Sequence, residues 1–353
     1  MFEIMSLKEV RKTNESLILH LLNKNGPMSR KDIAIALKLT PAAITKITAD
    51  LIREGLIKEV GSNNENIGRV GRREVIIEIS IKDKIALCIH TEGEKLTVSL
   101  AIFNGELIDS KAFELPKTIE ETIVIVKNFL TKFDENITNH IYAIGVCIIG
   151  SNNEYSIWKD ADIKGTLENA FGKKVVVKNN VAAFAEAELL YDKNIQNIKG
   201  NTLVFKWGPG LGSSIIYNGK VTDSDGNETF EIGHCIVTDK GKKCRCGRYG
   251  CLECEVQISN KLERKELEFE IEQKSYKIAV ALENAYTLIS AKKIILFGEY
   301  FEDEFAKDKL IENCKKIYPE FNVECMEISE LNKIRTYIGG VAICAKKFIF
   351  DRK

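Results

Sequence analysis

Apolar residues recur at helical spacing through the first sixty positions, and strand-like runs take over further along. NESLILHLLNKNG (14–26) places Leu17, Leu21 and Leu22 on one helical face, with Gly26 set to end it. SRKDIAIALKL (29–39) follows, with Ser29 able to cap. TPAAITKITADLIREGLI (40–57) opens with Thr40, a good N-cap, and Pro41, whose fixed φ suits a first helical turn. Ile44, Ile47 and Leu51 then recur at three and four, a buried stripe, and Gly55 marks the C-terminus. LIKEV (56–60) and EVIIEI (74–79) read as two strands around the loop GSNNENIGRVGRR. From about residue 83 onward strands alternate with helices, which predicts an α/β body. No low-complexity tract and no short repeat interrupts the pattern.

At 353 residues, 44% hydrophobic and 29% charged, the chain reads as a globular protein of two or three domains. Lys+Arg and Asp+Glu both total 51, yet residues 1–82 hold 14 basic and 10 acidic side chains, leaving 37 and 41 for the rest. A basic head on an acidic body fits a nucleic-acid module joined to something else. Apolar runs fall short of a membrane span and the N-terminus lacks a signal-peptide layout, so no membrane association and a cytoplasmic location are expected. The ten cysteines are scattered except at 244–254, which favours thiols and a metal over a disulfide framework.

Two short helices, a tight turn and a second helix suit a helix-turn-helix, whose second helix can enter the major groove of double-stranded DNA. The positions off the buried stripe, Pro41, Ala42, Ala43, Thr45 and Lys46, face the duplex in that reading. Small residues allow close approach, Thr45 and Lys46 can hydrogen-bond, and Lys46 can neutralise phosphate. Arg30 and Lys31 can do the same from the preceding helix. Arg69, Arg72 and Arg73 make the loop between the two strands a basic wing. The competing reading is a small helical bundle for protein contact.

The sharpest local signal is EIGHCIVTDKGKKCRCGRYGCLE (231–253). His234, Cys244, Cys246 and Cys251 have the spacing H-x9-C-x-C-x4-C, three thiolates and an imidazole, which is a closed structural set for Zn2+. Gly247 and Gly250 allow the chain to fold tightly around an ion. Cys235 and Cys254 lie close enough in sequence to compete as ligands.

EIGH followed by C-x-C-G-x-x-G-C-L-E resembles the signature of the ROK family of repressors, open reading frames and sugar kinases. The head resembles that of its xylose-repressor-like branch, and the likeness covers residues 10–350. It implies an N-terminal winged helix-turn-helix over 1–80, then a two-lobed, actin-like ATPase (ROK sugar-kinase) domain over 81–353 with a zinc-binding segment at 231–253. It also implies zinc on the four residues above and sugar contacts from Glu231, His234 and Glu253. Several kinase motifs are changed. The D-x-G-G-T phosphate loop reads as IHTEGEK (89–95), with His90 for Asp, Glu92 for the first Gly and Glu94 for Thr. A carboxylate in that cradle repels phosphate. E-N-D-A-N reads KNNVA (178–182), and Asn180 cannot act as the carboxylate base. Asn179 and Asn180 remain candidates for sugar hydroxyls. G-T-G-x-G is GPGLG (208–212), and a late Gly-Gly is Gly298-Glu299. The expected protein is therefore a non-catalytic DNA-binding regulator of carbohydrate metabolism, a repressor, with no ATP, a sugar effector and a homodimeric assembly. Its alternatives are a regulator that has lost sugar sensing and an active sugar kinase.

Overall fold

The computed structural model describes residues 6–62, 75–81, 83–149, 158, 161–222, 231–244, 246–259 and 262–352. Helix α1 (Leu7–Asn25) begins seven residues before the expected start. Ser6 caps it, with its side chain accepting from the Glu9 backbone while Glu9 reaches back, a capping box. Leu22 is buried and Leu21 half-buried against the core, as expected, and Ile18 and Leu19 are buried beside them, whereas Leu17, also expected inside, is 45% exposed. The chain continues through β1 (Met28–Ser29), α2 (Arg30–Leu37), α3 (Pro41–Arg53), β2 (Ile57–Ser62) and β3 (Val75–Ile79). Ser29 and Thr40 cap α2 and α3, as the sequence predicts. Ile44, Ile47 and Leu51 are buried. The strands form one antiparallel sheet ordered β1-β3-β2, a ribbon of two long strands with a short third strand that sequence reading missed.

Two five-stranded sheets follow. The first contains β4 (Ile85–Glu92), β5 (Lys95–Ile102), β6 (Leu107–Glu114), β7 (Ile141–Ile148) and β8 (Lys174–Asn179), with α4 (Ile119–Leu130), α5 (Glu135–Asn139) and α6 (Ile163–Phe171) between them. α7 (Asn180–Tyr191) and α8 (Lys193–Gln196) lead to the second sheet: β9 (Asn201–Trp207), β10 (Leu211–Tyr217), β11 (Lys220–Val221), β12 (Ala291–Phe297) and β13 (Met326–Ile328). Its helices are α9 (Leu252–Glu255), α10 (Arg264–Ile289) and α11 (Phe305–Ile317), and α12 (Arg335–Ala345) comes last. The strand orders, β6-β5-β4-β7-β8 and β11-β10-β9-β12-β13, repeat one topology of antiparallel meander and parallel extension. The repeat lies in the strand order, where a search for short sequence periods does not find it.

Strand alternation sets the layering. On β4, Ile85, Leu87 and Ile89 pack toward the outer helices, while Ala86 and Cys88 face inward. On β9, Leu203 and Phe205 face outward and Val204 inward. Small inward residues let α12 lie close on the first sheet. A Cβ on Gly145 would stand 2.2 Å from the Gly340 carbonyl oxygen, so both positions require glycine. α7 packs against β9 and β10 of the second sheet and against α12. Each sheet's inner face is thus covered by one member of a central helix pair.

The head is seated on the end of that pair. Arg352, just past α12, donates to Glu15 at 2.7 Å and to Glu54 at 2.6 Å, and Asn23 donates to the Leu190 carbonyl at 2.9 Å. One apolar core runs from Ile18 and Leu51 through Phe350 into α12.

Candidate functional site

The outer face of α3 presents Pro41, Ala42, Thr45 and Lys46 to solvent, with Ala43 half-buried. The Thr45 hydroxyl donates back to the Pro41 carbonyl at 2.8 Å. Lys31 is exposed on α2. The Arg30 guanidinium donates to Thr48 and to Glu59, both at 2.9 Å, and braces α2 against α3 and β2. Arg69, Arg72 and Arg73 lie outside the described residues. Sequence reading missed Arg11, which joins Glu15 on α1 to Asp50 on α3.

His234, Cys244, Cys246 and Cys251 come together, their donor atoms all within 4.8 Å of one another. The His234 Nδ1 lies 3.5 Å from the Cys244 Sγ, and the Cys246 and Cys251 sulfurs are 3.6 Å apart. Tetrahedral zinc with bonds of about 2.3 Å to sulfur and 2.0–2.1 Å to nitrogen would separate these pairs by about 3.6 and 3.8 Å. The donor set therefore fits such an ion. Cys235 and Cys254 fall outside the group. Gly250 has φ +74°, and a Cβ there would meet the Thr238 carbonyl oxygen at 2.0 Å, so glycine alone allows this fold of the loop. The backbone N–H of Arg248, followed by its side chain, brings the Cys246 thiol down to about 7, toward the thiolate that a metal needs. The other His234 nitrogen, Nε2, lies 3.0 Å from Glu231. One imidazole thus joins the thiol cluster to the Glu231 carboxylate.

Asn179 caps α7, its Oδ1 accepting from Val181 and Ala182 at 2.8 and 3.2 Å. Asn180 is buried in the first turn, and its amide donates to the Thr91 carbonyl at 3.4 Å. Glu253 lines a cavity of about 210 Å³ together with Trp207, Pro209, Leu211 and Gln257.

The altered kinase motifs converge on one spot. Glu92, at the end of β4, reaches across to Lys206 on β9 at 2.8 Å and lies 3.8 Å from Arg335. A Cβ on Gly93 would touch Pro209 at 3.2 Å, and one on Gly208 would touch the Glu299 backbone nitrogen at 3.2 Å. The loops of IHTEGEK and GPGLG are thus in contact, with a carboxylate between them. Burial alone would raise the Glu92 carboxyl, but Lys206, His90 and Arg335 outweigh it and hold it at about 2. Burial pushes His90 down to about 4, so it is neutral near pH 7. Sequence reading missed Lys206 and Arg335. A lone charge within the apolar run LVFKWG was the signal for Lys206.

A helix-turn-helix head joined to two lobes of common topology, with a Cys/His cluster beside the cleft, defines the class of protein. The ROK family profile matches residues 86–266, and the MarR family profile matches residues 13–64. The chain belongs to the ROK family. It is 26% identical over 265 residues to the DNA-binding transcriptional dual regulator NagC of Escherichia coli (strain K12). That alignment covers 71% of this chain and 64% of NagC, just under two thirds of the relative's length. It is 25% identical over 308 residues to the xylose repressor of Bacillus spizizenii (strain ATCC 23059 / NRRL B-14472 / W23), covering 82% of this chain and 77% of that protein. A solved ROK family transcriptional regulator, described as a homolog of the E. coli MLC protein, superposes with a TM-score of 0.75 at 22% identity over 97% of each chain, and so shares the fold. Among the described residues no helix is long and apolar enough to cross a membrane.

Proposed function

We propose that this chain is a sequence-specific DNA-binding transcriptional regulator of carbohydrate metabolism, a repressor, whose ROK lobes sense a sugar and carry out no phosphoryl transfer. The observation that carries the reading is the contact between the two phosphate loops, with Glu92 between them and Lys206 on Glu92 at 2.8 Å. A buried, ionised carboxylate there repels nucleotide phosphate, and Asn180 offers no base for a sugar hydroxyl. The relatives named as regulators and repressors support the DNA half of the reading. The exposed face of α3, with Ala42, Thr45 and Lys46, supports it too.

In this reading the head spans residues 1–80 and the ROK domain residues 81–353. Pro41, Ala42, Ala43, Thr45, Lys46, Arg30 and Lys31 meet the duplex, with Arg30 also bracing α3 through Thr48. The wing arginines Arg69, Arg72 and Arg73 add contacts to backbone or minor groove. His234, Cys244, Cys246 and Cys251 hold a structural zinc ion, which supplies a rigid crosslink and no chemistry of its own. Glu231, His234 and Glu253, with Asn179 and Asn180, bind sugar hydroxyls. A sugar hydroxyl that takes Glu231 from His234 Nε2 would bind beside the metal ligand. Two copies related by a two-fold axis in the cytoplasm would read half-sites one or two helical turns apart.

Selection of a binding site from random double-stranded DNA, followed by titration at moderate salt, tests the first half. A thermal-shift screen with pentoses, hexoses and amino sugars tests the second, because a ligand selective for the folded state raises apparent stability. Failure to enrich any duplex overturns the regulator reading. Enrichment without any sugar shift leaves a DNA-binding protein that answers to something else. Phosphorylation of a hexose from ATP overturns the non-catalytic reading.

A further inference from the structure

Two helices run from the floor of the cleft to the head. α7 begins at Asn180, against Thr91, and near its far end the Leu190 carbonyl receives Asn23 of α1. α12 begins at Arg335, beside Glu92, and the segment after it ends at Arg352, which grips Glu15 and Glu54. The helices pack side by side, with Gly339 close enough to Ala183 that a Cβ would lie at 3.2 Å. α12 rests on β4 and β7, while α7 rests mainly on β9 and β10, with its first turns also against β7 and β8. The seat of the head is therefore assembled from two helix ends, one packed on each sheet.

At the cleft end, four alternating charges join the lobes. Glu92 comes from the first sheet and Lys206 from the second, while Arg335, at the start of α12, also holds the Asn332 carbonyl, whose residue is bonded to Gly298 and Phe301. Lys206 meets Glu92 at 2.8 Å, Arg335 meets Glu302 at 3.0 Å, and the Arg335 Nε stands 3.8 Å from Glu92. Toward the head, Glu186 of α7 holds Lys346, just past α12, with both oxygens at 2.7 Å. Gly340 lies against Cys88 and Gly145 with no room for a Cβ, which anchors α12 to the first sheet. Movement of one sheet relative to the other is then taken up between α7 and α12 and at the junction of β8 with α7. Closely packed interfaces of this kind shift between discrete arrangements rather than deform smoothly.

We propose that α7 and α12 are a shear pair that reports the state of the cleft to the head, with Glu92, Lys206, Arg335 and Glu302 as the clasp that holds the lobes together. The proposal rests on the reading of the cleft as the sensing site and names the elements that transmit its state. A ligand that parts the lobes releases the clasp at one end. At the other it displaces Leu190 relative to Arg352, and the head, held by both, loosens.

Amide hydrogen exchange on the full chain without DNA tests this, so the result is independent of operator binding. The variants are Glu92→Gln and the double variant Glu92→Gln/Lys206→Met, which leaves neither member of that pair buried without its counter-charge. Both should speed exchange by about tenfold in the second half of α1 and in residues 346–352, more than 20 positions from either substitution in sequence. Leu310→Ala on α11, a core deletion away from the helix pair, should leave those amides as in the wild type. Should Glu92→Gln fail to fold, the double variant decides. Unchanged exchange in the head of the double variant overturns the proposal, as does an equal rise in Leu310→Ala. If the head responds to the clasp but no duplex is bound, the shear pair stands and the regulator reading falls. If a duplex is bound and the head is indifferent, only the shear pair falls.

Discussion

Replacing Glu188 by Gln should stabilise the protein, and by an amount that depends on pH. Glu188 lies on α7 with its side chain fully buried. Burial pushes its carboxyl up to about 8, against the pull of a hydrogen bond from Ser329, and Asp192, Glu327 and Glu330 push in the same direction as burial. The folded chain near pH 7 therefore carries this group protonated, whereas the unfolded chain ionises it near 4.5. Because the folded value is raised, stability is full below about pH 4.5 and is lost as pH rises toward 8. The gap of about 2.5 units between the unfolded value and pH 7 corresponds to about 3 kcal/mol, at about 1.4 kcal/mol per unit. Gln keeps the shape and an oxygen for Ser329 but cannot ionise. The advantage of Glu188→Gln over wild type should thus grow by about 3 kcal/mol between pH 4.5 and 7, and by about 4 kcal/mol by pH 8.5. Denaturant unfolding followed by Trp158 and Trp207 fluorescence at those three pH values measures it. A difference that stays constant across the range refutes the burial argument.

Gly145→Ala should destabilise by about 3 kcal/mol, since its Cβ would meet the Gly340 backbone and neither partner can yield; thermal unfolding measures it. Cys246→Ser should lower zinc content on elemental analysis and speed proteolysis of the 231–253 segment. Unchanged zinc would remove Cys246 from the ligand set. Lys46→Ala should weaken duplex binding about equally across sequences and reduce the salt slope by about one unit, provided Lys46 meets a phosphate. A slope equal to wild type would place Lys46 away from the backbone.

Much of the head could be read directly, because its signals are local. Ser29 and Thr40 are caps whose partners lie three residues away, and the stripe of Ile44, Ile47 and Leu51 follows from helical spacing alone. The four Cys/His positions were legible for the same reason: they span 18 residues with glycines where the backbone has to turn tightly. The start of α1 was missed because its capping box, Ser6 with Glu9, lies before the apolar pattern becomes regular. The bonds of Arg30 to Thr48 and Glu59 were not legible, because only the fold brings those residues to it.

By itself, then, the sequence determined the head's helices and caps, the candidate metal set and the α/β body, which depend on neighbours within a few turns of chain, while the changes at 90, 92 and 180 were legible only against the motifs of the family it resembles. Only the tertiary structure decided that Glu92 would find Lys206, that Arg352 would hold Glu15 across 337 positions, and that two glycines would pin α12 to the first sheet. Such pairings depend on which distant segments the sheets bring into contact, and side-chain chemistry alone does not say which of 51 acidic groups a buried cation will meet.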